Sequence, residues 1–141
     1  MAEFRIVLAA HGALASGFLA SAELICGRLP NVVAVPLEPT DSPESFQARL
    51  VEALGDPDEP VLLLTDLCGG TPHNVALVVA RDRPGVVLVS GINLAILIEA
   101  ATSLESLDDA AIDRLVAAGR DNLVAVRRLG AERARIVERT P

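Results

Sequence analysis

Four short, almost uninterrupted apolar runs, each followed by a segment with helix punctuation, constrain this chain more than any other feature. The runs are Phe4–Ala10, Val32–Leu37, Val61–Thr65 and Val86–Ser90. Continuous rather than alternating hydrophobicity marks strands covered on both faces, the situation of a parallel sheet between two helical layers. A fifth run, Leu123–Arg127, is shorter and leads into an arginine pair, which reads as an edge strand. Between the runs, Ser16 is expected to cap a helix whose Phe18, Leu19, Ala22, Ile25 and Cys26 share one face and which Gly27 ends. Ser42, Pro43 and Glu44 supply an N-cap, a first-turn proline and an acid favoured by the helix dipole, opening a helix through Phe46, Leu50 and Leu54 to Gly55. Thr71–Pro72 repeats that signal for a helix to about Arg81. Asn93 caps a short helix through Ala101, and Asp108 to Gly119 forms the last one on Ile112, Leu115 and Val116. The order β-α-β-α-β-α-β-α-α-β predicts a single-domain, doubly wound α/β fold with a mainly parallel sheet. We expect one domain over residues 1–130 and a charged tail over 131–141.

Composition removes several function classes. Hydrophobic residues make up 51% of the 141 positions, too many for a disordered linker. Phe4, Phe18 and Phe46 are the only aromatics of the Phe, Trp and Tyr kind, so stacking platforms for single-stranded nucleic acid are missing. The net charge of −7 repels phosphate backbones, and no nucleic-acid partner is expected. All basic side chains other than histidine are arginine, so a Walker-type lysine, a Schiff-base lysine and a lysine general base are excluded. Cys26 and Cys68 form no CxxC pattern and fit a reducing compartment. The apolar stretches are too short to span a membrane, and Met1–Arg5 carries Glu3 and no secretory signal. A cytoplasmic protein is the expectation.

In open α/β sheets, ligands gather beyond the carboxyl ends of the strands, where strand order reverses. His11–Gly12 follows the first strand and Asp66-Leu67-Cys68-Gly69-Gly70-Thr71-Pro72 follows the third. With strand order 2-1-3-4, the two segments face each other. A carboxylate that accepts a hydrogen bond from one ring nitrogen fixes the imidazole tautomer and leaves the other nitrogen nucleophilic. Asp66 would do this for His11. A lone histidine more often reads as a satisfied polar residue at a strand end, but the strand-end position and the carboxylate partner favour a site for His11. Gly69 and Gly70 suit positive φ, and Thr71 would cap the next helix, so backbone N–H groups and a helix N-terminus converge on the crevice. Alone, Gly-Gly-Thr-Pro is also a common turn. The helix after His11 begins within a few residues and aims a second N-terminus at the same point. A histidine, two helix ends and no ammonium suggest a phosphoryl group carried on nitrogen, with neither metal nor cofactor required.

Three runs, LAAHGALASG (Leu8–Gly17), LLLTDLCGGTPHNVAL (Leu62–Leu77) and VSGINLAILIEA (Val89–Ala100), together resemble the IIA domain of mannose-type sugar phosphotransferase systems over about residues 3–127. The resemblance implies a cytoplasmic phosphocarrier that takes phosphate from phospho-HPr onto His11 and passes it to a IIB component. Membrane IIC and IID components would then import and phosphorylate the sugar. It assigns His11 and Asp66 to catalysis and sets the Thr71 hydroxyl near the phosphate, which Gly12, Gly69 and Gly70 are expected to cradle with their backbone. Ser16, Cys68, His73, Asn74, Gly91 and Asn93 would form the rim. It also implies a homodimer that exchanges a final antiparallel edge strand, for which Leu123–Arg127 is the candidate, and a IIB component on a separate chain. Cys68 and His73 depart from the family pattern, where a bulky residue and an aromatic or small residue are usual.

Other readings fit the residues less well. A receiver domain needs an acidic pair after the first strand and a later lysine, whereas Ala9-Ala10-His11 stands here. A flavin site would place aromatics at strand ends. A metal site from His11, Asp66, Cys68 and His73 matches no ligand spacing. A subunit feeding dihydroxyacetone kinase, or a regulatory phosphocarrier, shares the histidine chemistry and stays open at this point.

Overall fold

A computed structural model describes residues 4–127. Four parallel strands, β1 (Arg5–His11), β2 (Val32–Leu37), β3 (Val61–Thr65) and β4 (Val86–Ser90), form one sheet in the order β2-β1-β3-β4. The helices are α1 (Leu14–Cys26), α2 (Pro43–Leu54), α3 (Thr71–Ala80), α4 (Leu94–Thr102) and α5 (Asp109–Asp121). The expected doubly wound fold and strand order are both present.

Strand alternation splits the core in two. Ile6, Leu8 and Ala10 of β1, with Leu62 and Leu64 of β3, pack against α1, α4 and α5. Val7 and Ala9, with Val61 and Leu63, meet α2 and α3 across the other face. Because both faces are covered, β1 and β3 read as unbroken apolar runs, whereas β2 and β4 at the sheet edges are only half-buried. Phe46, Leu50 and Leu54 bury one stripe of α2 completely, worth roughly 1.5–3 kcal/mol per side chain before entropy is counted.

Ser42 caps α2 as expected: its hydroxyl accepts from Ser45 N at 3.1 Å, and Ser45 Oγ accepts from Ser42 N at 3.0 Å. Asn93 and Asp108 cap α4 and α5 through side-chain bonds to Ile96 N and Ala111 N. Two expected caps fall elsewhere. Helix α1 begins at Leu14, with Ala13 as its N-cap and no side-chain cap bond, so Ser16 is its third residue and not its cap. The positive φ of Gly12, +57°, turns the chain early, and Gly17 N reaches Ala13 O at 2.9 Å to close the first helical turn. In α3 the N-cap is Gly70, whose extended backbone lets its carbonyl accept from Asn74 N, and Thr71 is the first helical residue. The apolar face of α1 is also narrower than expected. Ala15 and Ala22 are buried and Phe18, Leu19 and Cys26 half-buried, but Ile25 faces solvent at 61% exposure. Leu123–Arg127 carries no regular secondary structure and pairs with no strand among the described residues. The expected tail over 131–141 lies outside the described residues.

Candidate functional site

The parallel register decides which strand ends meet. Ala9 pairs with Thr65, so His11 at the end of β1 extends two residues past that level, beside Asp66 on the neighbouring strand. Asp66 Oδ2 accepts twice from His11: from the ring Nδ1 at 2.8 Å and from the backbone N–H at 3.0 Å. The main-chain bond locks the acid to the strand end, and the ring bond sets the imidazole plane. Burial alone pushes the Asp66 carboxyl up, but the two bonds it accepts from His11 outweigh this and hold it below the ordinary value. The carboxylate is therefore ionised at neutral pH and Nδ1 is the donor. Nε2 then carries the lone pair. The His11 side chain is 45% exposed and that of Asp66 only 9%, so the acid is sheltered and the reactive edge is open. Asp66 Oδ1 is buried and has no hydrogen-bond partner.

The segment after Asp66 supplies the second wall. Gly70 N donates to Leu67 O at 3.1 Å, and Gly69 occupies the third turn position at φ +86°, a conformation that favours glycine. Gly70 itself has an ordinary φ of −75°. Its lack of a side chain serves proximity instead: a Cβ there would stand 2.8 Å from His11 Cε1. The N-cap of α3 thus lies against the edge of the ring. Thr71 follows at the first helical position. Asn74 Nδ2 donates to Gly69 O at 3.1 Å and ties the loop to the helix. Cys68 is exposed between these groups and Ser16 is exposed on the first turn of α1.

The remaining rim residues divide. Gly91, at φ +78°, folds the chain after β4 back onto β3, with Gly91 N and Ile92 N both donating to Thr65 O. The Asn93 amide is occupied structurally: Oδ1 caps α4 and Nδ2 donates to Gly119 O at 2.8 Å, which joins α4 to α5. His73 Nδ1 is hydrogen-bonded to Ser90 Oγ, which in turn meets Thr65 Oγ1 at 2.6 Å. Reading the sequence did not single out Thr65. The available signal was a polar residue closing an otherwise apolar strand. Among the described residues, no group of three or more His, Cys, Asp or Glu side chains is arranged to hold a metal ion.

Comparison with known proteins adds independent findings. The family model described as "PTS system fructose IIA component" (EIIA-man) matches residues 5–118. The mannose-specific EIIAB component of Escherichia coli K12 is 31% identical over 137 residues, covering 92% of this chain and 41% of the relative. The chain therefore spans about two fifths of the length of that relative. The fructose-specific EIIA component of Bacillus subtilis is 32% identical over 104 residues, covering 72% of this chain and 71% of the relative. Among solved structures, a mannose/sorbose specific IIA subunit from Enterococcus faecalis superposes with a TM-score of 0.82 at 34% identity, covering 90% of this chain and 96% of that one. Among the described residues, no helix is long and apolar enough to cross a membrane.

Proposed function

Because the chain belongs to the mannose-type IIA family of the sugar phosphotransferase system, we propose that it carries a phosphoryl group on Nε2 of His11. The donor is phospho-HPr and the acceptor is a histidine of a IIB component. The mannose-specific relative is named an EIIAB component and this chain matches 41% of it, which supports reading the chain as an A function that works with a B function. The sugar itself does not enter this site, which meets only protein and phosphate.

One observation carries the reading: Asp66 Oδ2 holds His11 Nδ1 at 2.8 Å while the ring is 45% exposed. The Nε2 lone pair attacks phosphorus, the donor's N–P bond breaks, and its electron pair returns to the donor imidazole. The His11 ring gains positive character as the new bond forms, and Asp66 stabilises it across the Nδ1–H bond. Asp66 Oδ1 is buried without a partner, so the carboxylate's contacts are concentrated on the His11 side of the site. The first turns of α1 and α3 leave the N–H groups of Leu14, Ala15, Ser16, Thr71 and His73 without intrahelical partners, and such groups with a positive helix end suit phosphoryl oxygens. Gly12 and Gly69 shape the turns that lead into them.

The test is incubation with phospho-HPr followed by mass mapping of the modified residue. One acid-labile phosphate per chain on His11 is expected, and transfer onward to a IIB component should discharge it. Label on any other residue would refute the assignment. The same labelled protein, offered a dihydroxyacetone kinase subunit in place of IIB, is expected to stay charged.

A further inference from the structure

The second histidine of the chain lies on the same side of the sheet as the first. Val7 and Ala9 face the α2 and α3 layer, as do Val61 and Leu63 of β3, with Val86 and Leu88 of β4 packed against it. Two-residue alternation therefore turns His11, Thr65 and Ser90 toward that layer in a row across three adjacent strands. The first turn of α3 crosses the row. At one end Gly70 abuts the His11 ring, and at the other the His73 ring is hydrogen-bonded to Ser90.

Hydrogen accounting orients this chain of bonds. Thr65 is completely buried, and its hydroxyl is hydrogen-bonded to Ser90 Oγ at 2.6 Å. A buried hydroxyl hydrogen needs an acceptor, and Ser90 Oγ is the one in place. With Thr65 donating to Ser90, the single Ser90 hydrogen is free to donate to His73 Nδ1. In that arrangement the nitrogen is the lone-pair form and the His73 proton sits on Nε2, whereas if His73 Nδ1–H donated to Ser90 alongside Thr65, the Ser90 hydrogen would have no acceptor among these three groups. The opposite polarity would have His73 Nδ1–H donate to Ser90 and Ser90 donate to Thr65, leaving the buried Thr65 hydrogen unused. His11 is set the other way, because a carboxylate only accepts and Nδ1 must keep its proton.

We infer that the two histidines are held in opposite tautomers and that His73 is a positioning residue for phosphoryl transfer. Through Ser90 and Thr65 it braces the first turn of α3, which presents Gly70 to the His11 ring and the Thr71 and His73 N–H groups to the phosphate. The tautomer assignment stands on the hydrogen bonds alone, and the positioning role rests on the function proposed above.

With only two histidines in the chain, long-range ¹H–¹⁵N spectra of imidazole-labelled protein resolve both rings in alkaline buffer, where imidazoles are neutral. We expect one ring protonated on Nδ1 and the other on Nε2. Ser90→Ala should shift only the Nε2-protonated ring toward a tautomer mixture and slow loading from phospho-HPr about tenfold, the scale of losing an orienting partner. Ser90→Thr, which keeps the hydroxyl, should restore both. Two rings protonated on the same nitrogen would overturn the tautomer assignment. Ser90→Ala loading at the wild-type rate would overturn the positioning role. A wild-type chain that takes no phosphate would remove the transfer reading and the positioning role together, while the spectrum still decides the tautomers.

Discussion

Two carboxylate–base pairs stand at the carboxyl end of the sheet, beyond the strands that flank β1, and their bonding differs. Beyond β2, Asp41 is saturated. Its Oδ1 accepts from Arg49 at 2.6 Å and from Ser45 Oγ at 2.8 Å, and its Oδ2 accepts from Glu38 N at 2.7 Å and from Arg49 at 2.9 Å. Arg49 also donates to Pro36 O and lies over the Phe46 ring. Beyond β3, Asp66 uses one oxygen for both bonds to His11 and leaves the other buried without a partner, while the far nitrogen of His11 stays open. The saturated pair ties a loop to a helix. The other pair keeps one ring nitrogen open beside a sheltered, ionised carboxylate that can stabilise positive charge on the ring, which is what a transient carrier requires.

The strongest way to break the contrast is to remove the nucleophile. His11→Ala should abolish acid-labile phosphate, measured with labelled phospho-HPr, and lower the thermal midpoint modestly by removing the ring bond to the sheltered Asp66 carboxylate. Asp66→Ala should keep the fold but slow loading by about 10²-fold, read from single-turnover kinetics. A wild-type rate there would put Asp66 in the structural class with Asp41. Gly70→Val should reduce loading about tenfold by pushing the ring off Asp66, since its own φ of −75° tolerates valine. Gly69→Val sharpens the point, because its φ of +86° meets open space and costs about 1–2 kcal/mol of stability by backbone strain alone. Chemical denaturation of the two variants separates the effects. Asp41→Ala should lower the denaturation midpoint and leave the loading rate unchanged.

Acid should reveal both pairs as stability terms. The Asp41 carboxyl is held well below its ordinary value, first by Arg49 and then by the Glu38 N–H and the Ser45 hydroxyl. Asp66 is lowered as well, with burial opposing and the bonds from His11 prevailing. A carboxylate whose folded-state pKa is depressed contributes stability above its unfolded value, about 3.9, and loses it as pH falls through the lower folded value. Denaturation midpoints should therefore be flat from neutral pH down to about 4 and fall below it. In Asp41→Ala that acid decline should be shallower.

Much of this was legible in the chain. The apolar runs located all four strands because strands covered on both faces need continuous hydrophobicity, and Ser42, Asn93 and Asp108 marked helix starts because their side chains satisfy local N–H groups. His11 and Asp66 were legible as a pair because strand order and carboxyl-end placement follow from topology. What misled was local punctuation with a competitor nearby. Ser16 looks like a cap, but Gly12 turns the chain sooner, and Thr71 gives up the cap to Gly70, whose backbone can lie against the ring. Asn93 was expected at the rim and instead spends its amide between two helices.

Local patterning by itself determined the layered fold, the order of elements and the chemical types gathered at the strand ends, because these depend on hydrophobic period and on bonds between near neighbours. Only the tertiary structure decided which oxygen of Asp66 is filled and which is left bare, and that Gly70 rather than Gly69 touches His11. It alone linked Thr65, Ser90 and His73, which lie on different elements. Those are contacts between segments distant in sequence, set to tenths of an ångström by strand register and helix placement, and no single stretch of residues encodes such distances.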